Sequence, residues 1–321
     1  MKEILLLLPI ALFILGLIVL SVGAEVLVRA ASRFAKDMGV SPFIVGATII
    51  AYGTSAPELI VSALASFEGA APIALGNVVG SNLLNTGMIL GISALIFPIF
   101  IDKKTVATEM PLNIGLTLLV GVMIFGSEIS RIQGVFLLLI FAMYIFVTLK
   151  KELSDRAVRM ESGDGPKTRP SPKNMAVYAI GIIIGLAGLI GGAKVMVDAA
   201  IEIAVIFGVS ERIIGLTIVA VGTSLPELAA AVAAALKKQS DMAVGNLLGS
   251  NIFNLGLILG TAGVIRPIPL QPGEGLTDII FLAVNALMVM FFLRFGARIN
   301  RFEGALLCFF YFAFAASLTF L

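Results

Sequence analysis

Two glutamates stand where a charge is costly. Glu58 lies in Gly53-Thr54-Ser55-Ala56-Pro57-Glu58-Leu59, and Glu227 lies 169 residues later in Gly222-Thr223-Ser224-Leu225-Pro226-Glu227-Leu228. Both stretches sit inside apolar runs long enough to cross a bilayer, and an ionisable side chain at that depth marks a functional site by default. Pro57 and Pro226 break the helix ladder there, because each lacks an N–H and its ring displaces the carbonyl of Gly53 or Gly222. Each copy therefore offers one carboxylate, two hydroxyls and freed backbone carbonyls, the hard oxygen ligands that hard cations take. Two carboxylates would neutralise one Ca²⁺, and neighbouring amide, hydroxyl and carbonyl oxygens could complete the roughly six to eight ligands of that ion. Magnesium fits less well, since it keeps several waters. The same oxygens could instead hold several Na⁺ ions, so competition for one ligand set would give exchange without a nucleotide engine. Histidine proton relays and Ser-His chemistry are excluded, because the chain has no histidine, and with a single cysteine, Cys308, the ligands argue against zinc or copper.

Ser55-x-x-Glu58 and Ser224-x-x-Glu227 also fit a helix capping box with proline in the first turn. The two readings are compatible: the helix restarts at the motif, and its positive end helps keep the glutamate ionised.

A second element follows each motif. Gly76-Asn77-Val78-Val79-Gly80-Ser81-Asn82-Leu83-Leu84-Asn85 matches Gly245-Asn246-Leu247-Leu248-Gly249-Ser250-Asn251-Ile252-Phe253-Asn254. Asn77, Ser81 and Asn85 line one helix face at a spacing of four, as do Asn246, Ser250 and Asn254. Gly76 with Gly80, and Gly245 with Gly249, form GxxxG pairs that let another helix approach closely. Asn82 and Asn251 lie off that face and read as interhelical packing; Asn85 and Asn254 read as neighbours of the ions.

The elements that must position these residues are membrane helices. Of 321 residues 59% are hydrophobic and 13% charged, with mean hydropathy +1.07, which describes a polytopic helical membrane protein rather than a soluble domain. A net charge of +2 does not suggest a nucleic-acid partner, and no phosphate-cradling loop suggests a nucleotide. Ten apolar runs are expected to cross the bilayer, at 4–34, 42–66, 71–98, 106–126, 131–149, 174–206, 211–236, 242–265, 277–294 and 302–320. Seventeen lysines and arginines fall on the side of Lys150 and four on the other, which places both termini outside. The Gly- and Pro-containing stretch 150–173 reads as a short flexible cytoplasmic linker. The N-terminal run resembles a secretory signal, but cleavage would destroy a repeat that begins at Gly16.

That repeat organises the chain. Residues 16–91 align without gaps on 185–260, with 36 identities in 76 positions that include Gly, Pro, Glu, Asn, Ser and Thr. Five helices separate the two starts, and an odd number forces opposite insertion. The expected fold is all-α: ten transmembrane helices in two inverted halves, 1–149 and 174–321, with substrate at the midplane where broken helices meet. Lys194 occupies the position equivalent to Glu25, and with Asp198 four residues on it reads as a local ion pair.

At the two motif pairs the sequence resembles the cation/calcium exchanger superfamily, and most closely its prokaryotic sodium/calcium exchanger branch, over essentially its full length. The resemblance implies a central core of four motif helices across which the first and sixth helices slide. It implies calcium bound by Glu58 and Glu227 with the carbonyls of Thr54 and Thr223. It implies sodium sites drawn from those same residues together with Ser55, Ser224, the carbonyls of Ala51 and Ala220, Ser81 and Ser250, with Asn85 and Asn254 at the centre. Three Na⁺ for one Ca²⁺ would be the family's usual exchange. Many relatives carry an aspartate at one of the two central positions. Both are asparagine here, which argues against potassium dependence. Proton/calcium exchangers usually carry a glutamate shortly after the Gly-Asn pair, where this chain has Val79-Gly80 and Leu248-Gly249. The expectation is an antiporter that extrudes Ca²⁺ from the cell by exchange for Na⁺, needs no cofactor and works as a monomer. Proton/calcium exchange is the alternative, and a cation channel or an intramembrane enzyme are alternatives of other classes.

Overall fold

The computed structural model describes residues 2–69, 71–101, 103–126, 128–162, 170–207, 220–270, 276–296 and 298–317. In the first half, α1 (Lys2–Met38) leads to α2 (Pro42–Val45), a π-helical turn over Gly46–Ile50, α3 (Ala51–Thr54) and α4 (Ala56–Glu68). Then come α5 (Ala71–Leu83), a π-helical turn over Leu84–Ile89 and α6 (Leu90–Ile96), followed by α7 (Lys103–Ile124) and α8 (Arg131–Glu161). The second half repeats the order with α9 (Pro172–Ile206), α10 (Ala220–Thr223), α11 (Leu225–Leu236), α12 (Ser240–Ile252), a π-helical turn over Phe253–Ile258, α13 (Leu259–Ile265), α14 (Leu276–Gly296) and α15 (Arg301–Ser317). Among the described residues seven helices are long and apolar enough to cross a membrane, or eight if α2–α3 and α4 count as one span.

The proline motifs break their helices as the sequence predicts. The segment Pro42–Thr54 meets Ala56–Glu68 at a bend of 46°. Ser55 is the hinge residue (φ −83°, ψ 6°), and Ser224 takes nearly the same conformation (φ −93°, ψ 7°). Neither serine caps its helix with its own side chain. The capping-box reading therefore fails at both places, and the hydroxyls are free for other partners.

The matching segments α5–α6 and α12–α13 run in opposite directions. Gly69, just before α5, lies against Arg266 at the end of α13, and Lys238, just before α12, lies 5.8 Å above the Phe97 ring at the end of α6. So α5–α6 begins where α12–α13 finishes. Short strands tie the ends: β1 (Ile99–Phe100) pairs antiparallel with β4 (Arg298–Ile299), and β2 (Glu128–Ile129) with β3 (Ile268–Pro269). The apolar core follows the same exchange. One cluster takes Val78 and Val79 from the first half, and the other takes the matching Leu247 and Leu248 from the second.

Glycines set the closest helix contacts. α1 and α9 lie antiparallel along a seam where Gly16 meets Gly192 and Met196, Gly23 meets Gly188, and Gly185 meets Leu27. A Cβ on Gly23 would stand 2.7 Å from the Gly188 carbonyl carbon, so only glycine lets these backbones touch.

Two expectations need amending. Residues 150–161 of the expected flexible linker continue α8 as helix, because Lys150 to Glu161 are mostly good helix formers and a capping box at Ser130 and Gln133 starts the helix firmly. The GxxxG pairs are not equivalent. Gly245 and Gly249 press on Phe43 and Ala47, whereas Gly76 is exposed and no atom among the described residues comes within 4 Å of a Cβ on Gly76 or Gly80. Residues 211–219 of the seventh expected run lie outside the described residues. So do 163–169 of the linker and 318–320 of the last run.

Candidate functional site

Glu58 and Glu227 meet in the middle of the molecule, each only 1% exposed. Each sits in the first turn of the helix that restarts after its proline. Their hydrogen bonds cross between the halves. Ser55 Oγ donates to Glu227 Oε1 at 3.0 Å, and Ser224 Oγ donates to Glu58 Oε1 at 3.1 Å. Since Ser55 and Glu58 are three residues apart on one bend, this exchange locks the two motifs face to face. Thr54 stands beside Glu227 and Thr223 beside Glu58, continuing the swap. Thr54 Oγ1 also donates to Asn246 Oδ1 at 3.3 Å, and Asn77 Nδ2 donates to Ser62 Oγ at 2.9 Å and to the Glu58 carbonyl at 3.4 Å.

A layer of four asparagines lies next to the carboxylates. Asn85 Nδ2 donates to Asn251 Oδ1 at 3.1 Å, and Asn254 Nδ2 donates to Asn82 Oδ1 at 2.8 Å. Asn82 Nδ2 reaches the Asn251 carbonyl at 3.2 Å. The packing role expected of Asn82 and Asn251 thus has a specific form: they hold the amide nitrogens of the two central asparagines and so turn the amide oxygens the other way. Asn85 and Asn254 are each the second residue of a π-helical turn. Such a turn inserts an extra residue into the helix and re-aims the side chains it carries.

The buried oxygens left over are informative. Glu58 Oε2, Glu227 Oε2, Asn85 Oδ1, Asn254 Oδ1 and Ser250 Oγ make no hydrogen bond. Buried polar atoms are nearly always paired, so a group of unpartnered oxygens around two carboxylates asks for a bound species that accepts electron pairs. Asn246 Nδ2 and Asn251 Nδ2 are unpartnered as well, but the groups that can accept a cation are oxygens, which suits a hard cation and not a soft metal. Among the described residues no three His, Cys, Asp or Glu side chains gather to hold a metal, so the charge of the site comes from two carboxylates alone.

The remaining candidates divide. Ser81 Oγ lies 3.3 Å from Ser224 Oγ, whose proton goes to Glu58, so Ser81 is placed to donate to it, while Ser250 stands beside Glu227. The Ala51 carbonyl already accepts the Ser55 amide at 2.9 Å, with Thr54 Oγ1 3.4 Å away. In the second half the Ser224 amide donates to the Val221 carbonyl at 3.1 Å. Pro226 is buried and Pro57 half-buried. Lys194 and Asp198 pair at 3.0 Å on the surface, and Glu25 pairs with Arg29 at 2.6 Å and Lys237 at 3.2 Å, far from this chemistry. Sequence reasoning missed the π turns, for which no residue pattern stands out. It also missed the α1–α9 seam, for which the spacing of Gly16 and Gly23 against Gly185, Gly188 and Gly192 was a usable signal.

Known proteins share this architecture. The sodium/calcium exchanger protein family model matches residues 8–150 and again 177–320. Sodium/calcium exchanger MaX1 of Methanosarcina acetivorans is 31% identical over 338 residues, covering 94% of this chain and 95% of its own. Inner membrane protein YrbG of Escherichia coli K12 is 33% identical over 308 residues, with 94% of each chain covered. A solved structure of the sodium-calcium exchanger NCX_Mj, from work on extracellular ion exchange and induced binding-site occlusion, superposes with a TM-score of 0.85 at 34% identity over 97% of this chain and 99% of that one. Two copies of one family model, each carrying one of the facing carboxylates, cover nearly the whole chain, and it belongs to the sodium/calcium exchanger family.

Proposed function

We propose that this protein is a secondary active antiporter that exchanges Na⁺ for Ca²⁺ across the cell membrane by alternating access, normally extruding Ca²⁺. The observation that carries this reading is the pair of buried carboxylates, each held on one oxygen by a serine of the opposite half and each leaving its other oxygen unpartnered. Such a site has its coordinating atoms in place before the ion arrives, and it belongs to both halves at once. A relative shift of the halves then opens it to one side or the other. In this reading Glu58 and Glu227 take Ca²⁺ together with the carbonyls of Thr54 and Thr223. Sodium ions use the same carboxylates with Ser55, Ser224, Ser81, Ser250, the carbonyls of Ala51 and Ala220, and the amide oxygens of Asn85 and Asn254.

The close glycine seam makes α1 and α9 one antiparallel unit, suited to move together across the core. Ten spans are reached by adding two helices to the eight: α11 with the residues before it, and α15. The loop charges put both termini outside, with 1–149 and 174–321 as the inverted halves. If three Na⁺ replace one Ca²⁺ on two carboxylates, the sodium-loaded site carries one net positive charge. Transport then responds to voltage by roughly 2.3 kcal/mol per charge per 100 mV.

The test is ⁴⁵Ca²⁺ counter-flow in proteoliposomes against imposed Na⁺, K⁺ and H⁺ gradients in turn. Uptake should follow the outward Na⁺ gradient alone. Uptake that ignores Na⁺ and follows pH would replace sodium by protons in this reading. Unitary currents in single-channel recording would replace exchange by a pore.

A further inference from the structure

Three charged positions of the repeat carry opposite signs in the two halves. At the offset of 169, Glu25, Arg29 and Lys237 align with Lys194, Asp198 and Glu68. Reversal at one position would turn an attraction into a repulsion, whereas reversal at all three preserves every attraction. Each set can therefore make the same two ion pairs, one within a helix at i, i+4 and one from that helix to the core. In the first set both are made: Glu25 on α1 pairs with Arg29 at 2.6 Å and with Lys237, at the C-terminal end of α11, at 3.2 Å. In the second set only the pair within α9 is made, Lys194 with Asp198 at 3.0 Å. Glu68, the last residue of α4, is exposed and forms no ion pair among the described residues, and the Lys194 side chain is 75% exposed.

The packing differs in the same sense. α1 packs along α11, where Ala230 and Ala234 are buried in one cluster with Ala24, Leu27, Val28 and Ala31. α9 makes no comparable contact with α4. Val61 and Leu64 of α4, which match Ala230 and Ala233, are 37% and 53% exposed. The α1–α9 unit thus rests on the core at α11 and stands off it at α4.

We propose that the two charge sets are alternating latches: Glu25–Lys237 holds the α1–α9 unit in the arrangement described above, and Lys194–Glu68 holds it in the opposite one. The inference rests on the alternating-access reading. In inverted repeats the two halves can exchange conformations. The exchange takes α1 off α11 and brings α9 onto α4, which breaks the first pair and makes the second. The sign reversal makes each latch specific. Glu25 would repel Glu68 and Lys194 would repel Lys237, so neither helix of the unit can take the other's partner. With both termini outside, α11 ends on the inner side and α4 on the outer, so the closed latch is the inner one. Exposed ion pairs contribute little, so each latch biases the unit without trapping it, as a step repeated in every cycle requires.

The test is cross-linking in proteoliposomes with a short bifunctional thiol reagent, on a Cys308→Ser background. Glu25→Cys with Lys237→Cys should cross-link, which also reports correct folding. Glu68→Cys with Lys194→Cys should cross-link too, captured in the opposite arrangement. Adding Lys237→Glu to this second pair sets like charges against each other at the inner latch. It should raise the cross-linked yield by about twofold to fivefold, the range for an exposed ion pair. Copying the second set into the first, Glu25→Lys with Arg29→Asp and Lys237→Glu, should return the yield to its starting level. Absence of the Glu68–Lys194 cross-link in a protein whose Glu25–Lys237 pair does cross-link would overturn the proposal. So would a yield indifferent to Lys237→Glu, or one that the triple exchange does not restore. Cross-linking reports the motion and not the ion, so calcium uptake driven by protons would alter the exchange reading and leave the latches standing.

Discussion

Replacing Glu227 by glutamine should make the ion-free protein more stable and the calcium-loaded protein much less so. Two carboxylates, each 1% exposed, face one another, and each carries one unpartnered oxygen. Glutamine keeps the shape, and its carbonyl oxygen can still accept the Ser55 hydroxyl that now lies 3.0 Å from Oε1. It removes a like-charge pair and a poorly solvated charge, a gain of about 2 kcal/mol in the range of one unsatisfied buried group. For a chain of 321 residues that corresponds to a rise of about 3 °C in melting temperature. The effect on calcium is opposite and larger. One of two charges on a divalent ion is lost, at least about 4 kcal/mol at an effective dielectric constant near 20, or roughly a thousandfold in affinity. The assay is thermal unfolding of purified protein with and without Ca²⁺, alongside ⁴⁵Ca²⁺ flux. The variant should melt higher than the parent without ions, show no calcium-dependent rise, and carry no flux. An ion-free melting temperature below the parent's, or a calcium response of parental size, would refute the reasoning, because neither fits two uncompensated carboxylates sharing one cation.

Three further substitutions separate packing from chemistry. Gly249→Ala places a Cβ 2.6 Å from the Ala47 carbonyl oxygen, and backbone cannot step aside, so stability should fall by about 1–3 kcal/mol. Gly191→Ala, where no atom among the described residues stands within 4 Å, should leave stability unchanged or raise it by up to about 1 kcal/mol, both read from melting curves. Asn251→Ala removes the acceptor that holds Asn85 Nδ2 at 3.1 Å while leaving both carboxylates untouched. It should raise the sodium concentration for half-maximal exchange about tenfold, the loss expected for one buried hydrogen bond. Unchanged sodium dependence would show that Asn251 only packs.

Much of the site was legible before any coordinates. Glutamate and proline inside apolar runs are conspicuous because burial of charge and loss of a ladder hydrogen bond are both costly, and a second copy 169 residues on excludes accident. The break at Ser55 and Ser224, the one-face spacing of Asn77, Ser81 and Asn85, and the pairing of Lys194 with Asp198 all follow from local helix geometry, which a linear pattern encodes. The extension of α8 to Glu161 was local too, but the Gly- and Pro-containing stretch after it drew the boundary too early.

The sequence by itself determined which runs are apolar enough to cross a membrane, where the helices break, and that the chain carries one pattern twice. Only the tertiary structure decided who meets whom. Ser55 serves Glu227 and not its neighbour Glu58; Asn82 and Asn251 turn the amides of Asn254 and Asn85; Gly245 and Gly249 receive Phe43 and Ala47 while Gly76 stays exposed. Two nearly identical motifs carry the same local information, and identical local information cannot specify whether a hydroxyl bonds within its own copy or across to the other. That choice is made by how the oppositely directed halves pack, through backbone contacts at glycine and the exchange of apolar clusters, and it brings two dispersed carboxylates to one point.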